Sequence, residues 1–119
     1  MMEITRVEKP WGYELWWART DRYVGKLLHV KAGHQLSLQY HVVKDETIHL
    51  QRGELVLVVD EGEGLVERRL APGDSYHIAP GTRHRMIAVT DCDVLEVSTP
   101  EVDDVVRLED AYGRVKQTA

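Results

Sequence analysis

Gly33-His34-Gln35-Leu36-Ser37-Leu38-Gln39-Tyr40-His41-Val42-Val43-Lys44-Asp45-Glu46 is the stretch on which the reading of this 119-residue chain turns. Between Leu36 and His41, the apolar Leu36, Leu38 and Tyr40 alternate with the polar Ser37, Gln39 and His41. That period of two belongs to a half-buried β-strand, and it puts Gln39 and His41 on the same face. Val43-Lys44-Asp45 then forms a polar link. Glu46 follows at the head of the next β-rich run, Thr47 to Gln51, where it can return beside the pair.

Working outward, similar short runs recur about every eight to twelve residues: Tyr23 to Lys31, Glu54 to Val59, Leu65 to Leu70, Ser75 to Ile78, Arg85 to Val89 and Val94 to Ser98. Turn-forming stretches separate them, including Arg52-Gly53, Asp60-Glu61-Gly62-Glu63-Gly64, Pro72-Gly73-Asp74 and Ala79-Pro80-Gly81. Many short strands at this spacing predict an all-β sandwich or barrel. Between residues 20 and 100 no stretch sustains a helical period. Val102 to Tyr112 is the exception in the tail. Asp103 or Asp104 near its start and Gly113 past its end predict a short C-terminal helix. One domain over residues 1–119 is expected from the length.

The bulk composition excludes several classes. With 43% hydrophobic residues, the chain can form a core. Its net charge is −5 and its Lys and Arg are scattered, which argues against nucleic acid as a partner. The single cysteine, Cys92, rules out an internal disulfide and favours a reducing compartment. Asp91 and Asp93 flank it and disfavour a thiolate, so it reads as a packed thiol. No apolar run approaches the roughly 20 residues of a membrane span. The first residues carry no apolar signal stretch, and a soluble cytoplasmic protein is expected.

Gln39, His41, Glu46 and His84, which follows Gly81-Thr82-Arg83, form a mixed oxygen and nitrogen donor set. Such a set suits one divalent ion of the Zn, Mn, Fe, Co or Ni kind. Composition alone leaves the alternative open that these are surface histidines and a strand Gln-x-His pair bonded to a neighbour.

The order of the residues adds a resemblance. The stretch from Gly33 to Glu46, closed by Gly53, resembles the first cupin motif. Gly73-Asp74, Ile78, Gly81 and His84 resemble the second, with the usual proline displaced to Pro80 and Ala88 in place of a frequent asparagine. Gln39, where a histidine is usual, looks like the mannose-6-phosphate isomerase branch. Within that branch the chain is most similar to the C-terminal domain of bifunctional mannose-1-phosphate guanylyltransferase/mannose-6-phosphate isomerases. Lys9-Pro10-Trp11-Gly12-Tyr13-Glu14 resembles the opening segment of that domain, and Asp103 to Arg114 its closing segment. The resemblance covers residues 9 to 114. It departs at Thr47-Ile48, where that domain carries His-Trp, at Lys44 in place of an Arg, and at His77 in place of a Tyr.

The resemblance implies a double-stranded β-helix (jelly roll), metal ligation by Gln39, His41, Glu46 and His84, and aldose–ketose isomerisation of a sugar or sugar phosphate. No nucleotidyltransferase segment is present, so guanylyl transfer is not expected. Isomerisation needs a Lewis acid, a base that moves a proton between C1 and C2, and a cation for any phosphate. Glu96, in the apolar run Val94-Leu95-Glu96-Val97-Ser98, is the candidate acid/base if it faces inward. Lys26 shares strand parity with Leu28 and Val30 and is a candidate for catalysis or substrate binding. Arg85 is a candidate for substrate binding, although alternation from His84 would turn it away. His29, His34, His49 and His77 read as ordinary surface or core histidines. Trp11, Trp16 and Trp17 stack a sugar or cover the barrel end or a dimer interface, and residues 9 to 18 are expected to pair a homodimer. Two other readings stand beside the isomerase. One is a non-catalytic sugar-binding cupin, and the other an Fe-dependent dioxygenase-type cupin, which Gln39 argues against.

Overall fold

The computed structural model describes residues 1–115, so residues 116–119 of the expected domain lie outside the described residues. Among the described residues eleven strands form two antiparallel sheets that face each other as a jelly roll. The six-stranded sheet runs β1 (Thr5–Lys9), β2 (Gly12–Arg19), β3 (Val24–Val30), β10 (Cys92–Ser98), β5 (Glu46–Arg52), β8 (Ser75–Ile78). The five-stranded sheet runs β11 (Val106–Glu109), β4 (Leu38–Tyr40), β9 (His84–Ala88), β6 (Leu55–Asp60), β7 (Leu65–Leu70). No helix is assigned among the described residues, so none there is long and apolar enough to cross a membrane.

Strand alternation builds the interior. On β3, Leu28 and Val30 point inward; on β5, Ile48 and Leu50; on β10, Cys92 and Val94; on β6 and β9, Leu57, Val59 and Met86. Successive side chains of a strand point to opposite faces, so the polar members of the same inward rows are carried inside as well. These are Lys26, Glu46, Glu96 and His84, each at most 6% exposed. The apolar residues fill one end of the space between the sheets, and the charged ones gather at the other. Cys92 is buried among the former. Burial, with Asp93 beside it, pushes its thiol up, so it is a packing residue.

Three expectations are corrected here. Val102 to Tyr112 is no helix: its centre is β11, an edge strand paired with β4. β-Branched Val105 and Val106 favour the strand, and β4 offers it ladder hydrogen bonds. Asp104 caps no helix either. Its carboxylate accepts from the backbone N–H groups of Val42 (3.0 Å), Val43 (2.7 Å) and Lys44 (2.9 Å), fixing the link before Glu46. The third concerns residues 9 to 18, expected to pair with a second subunit. Most of this segment is β2, already flanked on both sides by β1 and β3, so at this end of the sheet the edge strand is β1.

Candidate metal centre and its cavity

β4 delivers Gln39 and, one residue past its end, His41; β5 opens with Glu46; β9 opens with His84. The donor atoms converge. His41 Nε2 lies 3.1 Å and His84 Nε2 3.2 Å from Glu46 Oε1, and all three residues are buried. The outer nitrogens are committed to backbone carbonyls: His41 Nδ1 donates to Asp104, and His84 Nδ1 to Thr82 at 2.9 Å. A carbonyl can only accept, so the protons reside on Nδ1 and the Nε2 lone pairs face the carboxylate. Oriented imidazoles of this kind are the usual setting of metal ligands.

Three acceptors facing one another repel unless a cation lies between them. His84 Nε2 is buried with no hydrogen-bond partner among the described residues, which is costly for a polar atom. Burial alone would lower the His41 pKa, but the hydrogen bond and charge of Glu46 and the Asp104 carbonyl together raise it. Glu46 is itself held well below the ordinary carboxylate range, because the two histidines and Lys44 outweigh its burial. Gln39 stands at the edge of the cluster, its amide nitrogen 3.5 Å from His41 Nε2 and its oxygen accepting from Ser37 Oγ at 2.6 Å. The Ser37 hydroxyl both donates and accepts, so turning the amide over would present Oε1 to the cluster and keep the Ser37 bond. The donor chemistry fits a divalent ion.

The cluster opens into a cavity of about 150 Å³ between the sheets. Glu96 enters from β10, directly opposite Lys26 on β3. Its Oε2 accepts from Lys44 Nζ at 3.2 Å, and Lys44 also lies 3.5 Å from Glu46 Oε2. Burial and the charge of Glu46 push the Glu96 carboxyl up to about 7, against the pull of Lys44 and Lys26. Lys26 reaches the cavity wall, 3.5 Å from Glu14 Oε1 and with its ammonium 4.3 Å from the centre of the Trp16 ring.

The family model described as "Cupin domain" matches residues 26–98, well over half of the chain. The chain is a cupin. Among its relatives, xanthan biosynthesis protein XanB of Xanthomonas campestris pv. campestris is 31% identical over 121 residues, taking in 92% of this chain and 24% of that protein. The mannose-1-phosphate guanylyltransferase of Escherichia coli (strain K12) is 34% identical over 114 residues, with 92% and 23% covered. The cupin thus spans about a quarter of the length of the curated relatives it matches. The second of them carries the guanylyltransferase name of the bifunctional proteins that the two end segments resemble. The structure of KdgF from Halomonas sp. shares the fold, with a TM-score of 0.72 at 23% identity over 86% of this chain and 91% of that one.

One expected substrate-binding residue is not at the cavity. Arg85, between the buried His84 and Met86, turns outward; its Nε donates to the Leu36 carbonyl at 3.0 Å and its Nη2 to that of Glu109 at 3.1 Å. Strand parity is the reason. The three tryptophans part company: Trp11 is buried beneath the cavity, Trp16 forms its wall, and Trp17 is half-exposed outside, over Gly25. His29, His49 and His77 are engaged elsewhere by Asp93, Ser75 and Asp45, and His34 by Tyr112.

Sequence reasoning gave no role to Lys44, Glu14, Arg107 or Arg114, all of which line the cavity. Lys44 lies two residues before Glu46 in a link that resembles surface loop. Arg107 alternates with Val106 and Leu108 in a segment read as helix. Only the strand reading would have put it on an inner face.

Proposed function

We propose that this cupin is a metal-dependent enzyme acting on a sugar or sugar phosphate, most simply an aldose–ketose isomerase of the mannose-6-phosphate isomerase type. What supports the reading is one juxtaposition: a buried carboxyl, Glu96, and a buried ammonium, Lys44, share a cavity with His41 and Glu46 of the His41–Glu46–His84 cluster. A divalent ion held by Gln39, His41, Glu46 and His84 would act as the Lewis acid for the substrate carbonyl and its adjacent hydroxyl. Glu96 removes the C2 proton while the aldehyde oxygen takes one up, giving a 1,2-enediol. It returns the proton to C1 as the C2 oxygen gives up its own, which leaves the ketose. A carboxyl poised near 7 suits both directions of that transfer. Lys44 sets the charge beside Glu96, and Lys26 offers a cation on the wall for hydroxyl or anionic groups.

The partners in this reading are a small-molecule substrate and a second copy of the chain in a homodimer. The test is an activity screen of purified, metal-defined protein against free and phosphorylated aldoses. Interconversion with the ketose, dependent on one metal per chain, is expected. Oxygen uptake with a non-sugar substrate would overturn the reading.

A further inference from the structure

Across the five-stranded sheet one register row reads Arg107, Gln39, His84, Val59. Arg107 is therefore the direct cross-strand neighbour of an expected metal ligand, and its side chain lines the same cavity. Among the described residues it makes no ion pair, and its buried Nε has no hydrogen-bond partner. Asp110, the carboxylate whose charge acts on Arg107, is already taken. Its fully buried side chain is clasped by Arg114 through Nε at 2.8 Å and Nη2 at 3.0 Å. Arg114 thus holds the Asp110 carboxylate, and the Arg107 guanidinium is left without an ion pair among the described residues. Burial first, and the neighbouring Arg114 charge second, lower the Arg107 pKa, and Asp110 offsets this only in part. An unpaired guanidinium at a cavity wall is a fork waiting for an oxyanion.

We propose that Arg107 is the anion anchor of this cavity and grips a phosphate or carboxylate carried by the small polyhydroxylated substrate, which makes that substrate anionic. The proposal deepens the reading above and rests on it only for the rest of the substrate. Arg85, turned outward, does not compete for this role.

The test titrates inorganic phosphate and, separately, gluconate into the full chain stripped of metal, so that the metal's own affinity for anions does not contribute. Heat of binding or phosphorus NMR is the readout. Arg107→Met should weaken the anion that binds wild type by about tenfold or more, from loss of a charge-assisted fork. Arg107→Lys, which keeps charge without the fork, should recover part of it and serves if the Met variant does not fold. Whichever of the two anions shows the effect identifies the group. Equal binding by wild type and Arg107→Met, or no binding of either anion by wild type, would overturn the proposal. Metal content measured on the same samples keeps the two readings apart. Anion binding that depends on Arg107 in a chain that takes up no metal would sink the metal-centred reading alone.

Discussion

Lys44 Nζ lies 3.2 Å from Glu96 Oε2, and both side chains are at most 7% exposed. Two carboxylates, Glu46 and Glu96, share this one ammonium. Removing one partner of a buried pair leaves an uncompensated charge. In metal-free protein, Lys44→Met should therefore cost roughly 3 kcal/mol of stability. Adding Glu96→Gln to it should cost less than the sum of the two single changes, because the residues are coupled. Urea unfolding of the four proteins measures this, and strict additivity would show that the pair is not coupled.

The metal should depend on Glu46 above all, since it is the only anionic member of Gln39, His41, Glu46 and His84. Elemental analysis should find one divalent ion per wild-type chain. Glu46→Ala should lower the affinity by roughly a hundredfold or more, given the binding energy that such ligand sets share. Wild-type protein that holds no metal, and takes up none on titration, would end this idea.

How much of this was legible beforehand follows strand parity. Leu36 to His41 alternates cleanly, so the pattern alone places Gln39 and His41 on one face. Lys26 beside Leu28 and Val30 follows the same rule, whereas the run around Glu96 is apolar on both faces and leaves its direction open; both residues are buried. β1 and β2 were not read as strands, because Trp16-Trp17 and the charged residues of Thr5–Lys9 break the alternation. β11 was misread because two aspartates and a following glycine imitate helix caps. Only the distant partner β4 decides between the two states. The Lys44–Glu96 pair spans 52 residues of sequence, a separation no local pattern reports.

Turnover should separate proton transfer from binding. Glu96→Gln should abolish isomerisation and leave metal content intact, because the base and the Lewis acid are different groups. Lys26→Ala should instead raise KM for a phosphorylated substrate more than it lowers kcat, as expected for a contact made equally in ground and transition states. Full activity in Glu96→Gln would spare the reaction class and move the base elsewhere.

Gly53, which closes the first motif, has φ of +98°, and a Cβ there would stand 2.3 Å from the Asp91 carbonyl oxygen and 2.8 Å from Cys92 Sγ. The oxygen is backbone and cannot swing aside. Gly53→Ala should therefore destabilise by about 2 kcal/mol or more. By contrast Gly73→Ala, with φ of +98° but open space around it, should cost less. Thermal unfolding that ranks the two in the opposite order would contradict the packing argument.

Asp104 should give the acid limb of stability a recognisable component. Three backbone N–H bonds, from Lys44, Val43 and Val42, hold its carboxyl down to about 2, below the ordinary 3.8. The folded value lies below the unfolded one. The ionised carboxylate therefore stabilises the fold fully above about pH 4, and that contribution disappears as pH falls from about 4 to 2. Asp104→Ala keeps the backbone carbonyl that orients His41 but frees the link from Val42 to Lys44. The stability difference between wild type and variant should then be constant from pH 5 to 7 and shrink steadily toward pH 2. Urea midpoints measured on chelator-treated protein across that range isolate the effect from metal loss. A difference that does not change with pH would mean that the link is held by something other than the Asp104 charge.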